Sequence, residues 1–144
     1  MQHASRDIRH KAIRAALYTK LNVASVTSQL GSGSASLVHG PAQPSAAYPI
    51  CSFAKQSGRN DDLSFGGDAN RNQIWTVKGI VRGTSASVAE DIDKAVAELL
   101  HFSTLTITGG TTLYLAREGD VEYPETEGDQ TYYHVGGLYR IKVR

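Results

Sequence analysis

Five histidines, one cysteine, two acidic stretches and a glycine-serine run are the residues of this chain best equipped for chemistry. Gly31-Ser32-Gly33-Ser34-Ala35-Ser36 approaches the glycine fingerprint that cradles a dinucleotide pyrophosphate. It follows a helical pattern instead of a strand, however, and Ser36 stands where the third glycine belongs. The chain has no Walker phosphate loop, G-x-S-x-G elbow or H-E-x-x-H helix, so those enzyme classes lose their main sequence support. His3, His10, His39, His101 and His134 fall in different predicted elements, none at zinc spacing from another His or a Cys, and read as exposed or hydrogen-bonded. Cys51 lies beside Ile50 and Phe53 in an apolar strand, the setting of a small buried hydrophobe and not of a nucleophile. Asp61, Asp62 and Asp68, and the run from Glu118 to Asp129, lack the D-x-[DN]-x-[DN]-G order of a calcium loop. No catalytic residue, metal or cofactor is therefore expected.

Charge is the remaining chemistry, and it is segregated. Residues 1–20 carry a net +4 through Arg6, Arg9, Lys11, Arg14 and Lys20 against Asp7, and Arg140, Lys142 and Arg144 add +3 at the other end. Residues 118–129 carry −6, including Glu122, Glu125 and Glu127. The whole chain sums to +1, which disfavours a dedicated duplex-DNA binder or an anionic-membrane binder. Separated blocks in a near-neutral chain suit head-to-tail association, in which a basic face of one copy meets an acidic stretch of the next. The partner-binding candidates on this reading are Arg6, Arg9, Lys11, Arg14, Asp61, Asp62, Asp68, Glu122, Glu125, Glu127, Arg140 and Lys142.

A chain of 144 residues, with 40% apolar and 20% charged residues, is expected to form one domain over 1–144 around one core. Ser5 to Leu21 predicts an amphipathic helix, with Ile13, Leu17 and Leu21 on its apolar stripe, Ser5 as N-cap and Asp7 in the first turn. Val26 to Ala47 reads as a long Gly/Ser/Pro connection, and Tyr48 to Lys55 as a short strand with Pro49 at its start. Ser57 to Asn72 reads as a long polar loop and a first functional candidate. Gln73 to Arg82 alternates as a central strand, with Trp75 and Val77 on one face. Ser87 and Glu90 fit a capping box, opening a helix that carries Val88, Ile92, Ala95, Val96, Leu99 and Leu100 inward. Thr104–Thr108 and Thr111–Arg117 predict a hairpin about Gly109-Gly110, followed by an acidic loop over Glu118–Asp129. Thr131 to Val143 predicts the last strand, with Gly136-Gly137 permitting a bulge or bend. The fold class is α+β, a mainly antiparallel sheet packed against two helices in the order α-β-β-α-β-β-β.

The lone cysteine points to a reducing compartment. No apolar run nears the ~18 residues a membrane span needs. The opening Met-Gln-His-Ala-Ser-Arg-Asp lacks a signal-peptide core, so a cytoplasmic product is expected.

The succession of the helix Ile13-Arg14-Ala15-Ala16-Leu17-Tyr18-Thr19-Lys20-Leu21, a Gly/Ser stretch and the strand Tyr48-Pro49-Ile50-Cys51-Ser52-Phe53 opens a recognisable order. The tryptophan strand Gln73-Ile74-Trp75-Thr76-Val77, a helix with Ala89-Glu90-Asp91-Ile92, and the terminal strand Gly137-Leu138-Tyr139-Arg140-Ile141-Lys142-Val143 complete it. This order resembles the tail terminator, or tail completion, proteins of long-tailed bacteriophages and prophages. The resemblance spans nearly the whole chain as a pattern of elements without a signature motif. It implies a small α+β subunit of a hexameric ring at the head-proximal end of the tail, assembled in the host cytoplasm and resident in the virion. Such a ring ends tail-tube polymerisation and docks to the head completion or connector proteins. Phage DNA passes its lumen without sequence readout, and no membrane, cofactor or catalytic residue is involved. The longer Gly/Ser connection and the acidic stretch depart from the family pattern.

Two alternatives stay open: another neck component, such as a head-tail adaptor or stopper, and a ligand-binding or enzymatic α+β domain. A deep pocket lined by His134 and carboxylates would favour the last.

Overall fold

In the computed structural model, the backbone is described for residues 2–42, 46–61 and 70–144, and side chains for residues 11–42, 46–58 and 71–144. Helix α1 (Gln2–Leu21) is followed by a short helix α2 (Ala24–Thr27), a 3-10 turn (Gly33–Ser36) and strand β1 (Leu37–His39). Then come β2 (Ile50–Asp61), β3 (Asn70–Arg82), α3 (Ser87–Leu100), β4 (Thr112–Glu127) and β5 (Gln130–Val143). The strands form one sheet in the order β1-β2-β3-β5-β4, parallel only between β1 and β2. An α+β fold with a mainly antiparallel sheet is thus what the chain adopts.

The core lies between the helices and one sheet face, because the 3.6-residue stripe of each helix meets the two-residue alternation of the strands. Ile13, Leu17 and Leu21 of α1 and Ile92, Val96 and Leu100 of α3 bury against Phe53, Trp75, Val77, Tyr139, Ile141 and Val143. Trp75 and Tyr139 are opposed across β3 and β5, and the Trp75 indole donates to the buried Gln73 Oε1 at 2.8 Å. Cys51 is fully buried in the same layer, its thiol pushed up to about 12 by burial and by the Asp93 charge.

Several sequence expectations are corrected. Helix α1 starts at Gln2, so Ser5 is not its N-cap and Asp7 is not in its first turn. The connection over Val26–Ala47 contains the end of α2, the 3-10 turn and β1. The polar loop over Ser57–Asn72 is strand at both ends, and β2 pairs with β3 as far as Asp61 and Asn70. The N-cap of α3 is Ala86, and Ser85 Oγ accepts the Ser87 N–H, in place of a Ser87–Glu90 box.

The hairpin about Gly109-Gly110 does not form. Leu105 and Ile107 are buried in the core, yet the Thr112 hydroxyl accepts the Leu105 N–H and donates to the Leu105 carbonyl, replacing a strand ladder. The real hairpin joins β4 to β5, so the stretch over Glu118–Asp129 is no loop. It is the distal half of an edge strand and its turn, with Gly128 at φ 64 in the position a type II′ turn reserves for glycine. Strand β5 carries no bulge at Gly136-Gly137, and its register with β3 is continuous there. Glycine is required by close approach instead: a Cβ on Gly136 would meet the Val77 carbonyl oxygen, and one on Gly137 would meet the Arg117 guanidinium.

Candidate functional site

The sheet face away from the helices holds a cleft of about 370 Å³. Strands β2, β3, β5 and β4 supply Ser52, Thr76 and Lys78, Tyr132 and His134, and Tyr123 with Glu125 and Glu127 in turn, while Gly40, Pro41 and Tyr48 wall one side. The alternation that aims Trp75 and Val77 into the core aims Thr76 and Lys78 here. His134 is 6% exposed and stacks on Tyr123, with ring centroids 4.4 Å apart and planes 11° apart. Its Nε2 lies 3.1 Å from Glu125 Oε1. A carboxylate only accepts, so Nε2 carries the proton and Nδ1 is an acceptor. That Nδ1 and Thr76 Oγ1 are both buried without a hydrogen-bond partner. The Lys78 ammonium donates to the Tyr123 hydroxyl at 2.7 Å.

Burial and the Lys78 charge hold the His134 imidazole below its ordinary 6.5, against the opposing pull of Glu125. Burial and the Arg14 charge do the same to His39. A base depressed by folding takes its proton first in the unfolded chain, so stability is lost as pH falls from 6.5 through the folded-state values. Urea midpoints are expected to drop between about pH 7.5 and about pH 5.5, and the drop to shrink in His134→Gln. An equal drop in the variant would refute the role given to His134.

On the opposite face a second polar cluster fixes the β4–β5 hairpin to α3. Arg117 Nη1 and Nη2 donate to the two Asp93 oxygens at 2.6 and 3.1 Å, and Nη2 also reaches Asp120 Oδ1 and the Gly136 carbonyl, each at 2.9 Å. In a regular strand Arg117 and Asp120 would face opposite ways. The irregularity between Arg117 and Gly119 inserts one residue and returns both to the helix side. The extra residue, Glu118, turns to Arg140, whose Nε it accepts at 2.7 Å.

The sequence candidates are thereby sorted. Glu125 and Glu127 line the cleft, whereas Glu122 is on the helix side with Asp93 and Arg117. Arg140 is engaged by Glu118 and Asn72, and Lys142 lies over the Tyr114 ring at 5.7 Å, so both basic groups of the last strand have partners inside the chain. Lys11 and Arg14 are exposed on α1 and make no hydrogen bond or ion pair with a described residue. Asp62 and Asp68 lie outside the described residues, as do the side chains of Arg6, Arg9 and Asp61. Among the described residues, no three His, Cys, Asp or Glu side chains gather as a metal-ligand set, and no helix is long and apolar enough to cross a membrane.

Sequence reasoning missed Phe102, just past the end of α3, which is 74% exposed and held at φ 53. Its N–H donates to the Leu115 carbonyl at 2.8 Å, and Leu113 on the same stretch of β4 is 48% exposed. An aromatic kept outside in a left-handed conformation has no counterpart in periodicity, which reads helix stripes and strand alternation only.

No family model matches the chain, and no curated protein matches it. Among solved structures it is similar to a chain of a particle described as the virion of a native gene transfer agent. The two share a TM-score of 0.71 and 17% identity, over 94% of this chain and 96% of that one. At that identity the likeness establishes a shared fold.

Proposed function

We propose that this chain is a structural virion subunit, a tail terminator that closes into a hexameric ring at the head-proximal end of a phage-like tail. In that role it ends tube polymerisation, meets the tail-tube protein on one side and the head completion or connector protein on the other, and lets DNA pass without reading it. The observation that carries this reading is the fold shared over nearly the full length of both chains with a virion component. The order of elements that resembles the tail terminators points the same way. Exposed Phe102 and Leu113 suit a surface that another protein covers.

The sheet has two edges, and β4 is the long one. It bears Glu118, Asp120, Glu122, Glu125 and Glu127 together with Pro124. Carboxylates and proline are the devices that prevent edge-to-edge pairing, because two such edges would oppose like charges and lack a donor. Association is thereby directed to unlike surfaces, the condition for a closed ring.

Mass photometry of the purified chain, alone and with tail-tube protein, is expected to find hexamers whose fraction falls as salt rises. Monomer under both conditions overturns the reading. Association with connector protein but not with tube protein would assign the chain to an adaptor or stopper ring. Turnover of a metabolite, abolished by one substitution, would replace the structural reading with an enzymatic one.

A further inference from the structure

The cleft satisfies the condition that the sequence set for a ligand-binding domain, and its chemistry selects a particular ligand. Acceptors outnumber donors among its polar groups: His134 Nδ1 has only a lone pair to offer, the unpartnered Thr76 hydroxyl can accept or donate, and the carboxylates of Glu125 and Glu127 stand at the rim. Its walls are the rings of Tyr48, Tyr123 and Tyr132. Two cations of the chain already use these rings: Lys78, held by the Tyr123 hydroxyl at 2.7 Å, lies over the Tyr123 ring, and the Arg82 guanidinium lies over Tyr48 at 5.6 Å from its centroid. A donor-only, flat cation that stacks on aromatic faces, a guanidinium, complements such a lining better than an anion or an apolar group. About 370 Å³ admits one or two long side chains, not a helix about 10 Å across.

The exposed cations without a described partner are Lys11, Arg14, Lys55, Lys94 and Arg144, and of these Lys11 and Arg14 stand one helical turn apart on α1, within the basic block of residues 1–20. Arg14 is near enough to His39 to depress its protonation, and His39 lies against Phe53 and Trp75 at the helix-covered side of the sheet. The cleft opens on the other side, so the basic row of one copy faces away from its own cleft. A contact between the two must join different copies, and repeated in one direction from copy to copy it is the head-to-tail contact of a ring. We infer that the cleft receives a basic side chain, Arg14 or its neighbour Lys11, from α1 of a second copy of this chain. This deepens the ring reading and rests on it.

Charge exchange in the full-length chain tests the inference. Native mass spectrometry compares wild type with Lys11→Glu/Arg14→Glu, with Glu127→Lys, and with the combination. Glu127 makes no hydrogen bond or ion pair with a described residue, so its replacement leaves the fold intact. Each partial variant is expected to lose about tenfold in oligomer fraction, and the combination to regain it. Unchanged oligomers in the partial variants, or no recovery in the combination, overturn the cleft contact and leave the ring reading standing.

A synthetic peptide of residues 2–21, titrated onto the full chain by calorimetry, separates the two ideas. Glu127-dependent binding to a chain that stays monomeric keeps the cleft and removes the ring. Absence of both peptide binding and assembly removes both. Peptide binding indifferent to Glu127→Lys overturns the cleft and returns it to a small-molecule reading.

Discussion

Gly136→Ala is expected to cost about 3 kcal/mol or more, and to lower the thermal midpoint by roughly 10 °C. Gly136 is opposite Lys78 on the central strand β3 and opposite Val121 on β4. The added carbon would meet the Val77 carbonyl oxygen and the Lys78 Cα, which are backbone atoms with no rotamer to yield. Relief requires β5 to move off β3, breaking hydrogen bonds in the middle of the sheet. The same shift parts Lys78 on β3 from Tyr123 and His134 on the β4–β5 hairpin, so the cleft opens with the ladder. Gly119→Ala is the control, since its new carbon comes only to ordinary contact distance of the Leu138 side chain, at 3.4 Å. Thermal unfolding of both variants checks the contrast. Equal and small losses would show that the two strands can spread at Gly136 without penalty.

What was legible in the sequence is what the core made periodic. Ile92, Val96 and Leu100 recur on one side of α3, and Val135, Tyr139, Ile141 and Val143 alternate along β5, because each of those elements buries one face. The signal stops where a strand leaves the core. Arg59, Asn60 and Asp61 pair in register with Asn72, Arg71 and Asn70, yet these six residues are all polar and carry no apolar alternation. Strand β1 has three residues, too few for any period, and is held by parallel pairing of Leu37, Val38 and His39 to Cys51, Ser52 and Phe53. In the distal half of β4, Glu, Asp, Gly and Pro, residue types depleted in strands, outnumber the strand formers Val121, Tyr123 and Thr126, since an exposed edge needs protection more than propensity. The cleft was hidden for a further reason. His134 and Glu125 are nine positions apart, but Ser52, Thr76 and Tyr48 reach them only through strand pairing that spans most of the chain. Charge segregation survived as a signal because it needs no register, and the structure divides it: Glu125 and Glu127 to the cleft, Glu122 to α3, and Arg140 to an internal partner.

Arg117→Ala is the second large effect, expected to cost about 3 kcal/mol. The guanidinium and the Asp93 carboxylate are 19% and 16% exposed, and one side chain serves Asp93 twice, Asp120 twice and the Gly136 carbonyl once. Hydrogen bonding to Asp93 raises the arginine's proton affinity above its ordinary value, against the cost of burial, so the charge persists at every accessible pH. Truncation leaves a mostly buried carboxylate on α3 without its counter-charge, and that loss outweighs the surface contact with Asp120, whose side chain is 86% exposed. Asp93→Ala should cost a comparable amount. The pair Asp93→Ala/Arg117→Ala should cost clearly less than both added together, because removing both ends leaves no orphaned charge. Arg117→Lys should not rescue, since an ammonium cannot make the paired contact to both Asp93 oxygens. Urea unfolding of the four variants completes the cycle, and strict additivity would show that the two residues do not act as a unit. The bulge at Glu118 gives the result a further consequence. It brings Arg117 and Asp120 to one side, so in Arg117→Ala the β4–β5 hairpin loses its ionic tie to α3 while keeping the apolar packing of β5 on that helix and its ladder to β3. The acidic rim at Glu125 and Glu127 is then held by the ladder to β5 and by the exposed Lys78–Tyr123 hydrogen bond, and any assembly that depends on where those carboxylates stand should weaken at temperatures well below the unfolding transition.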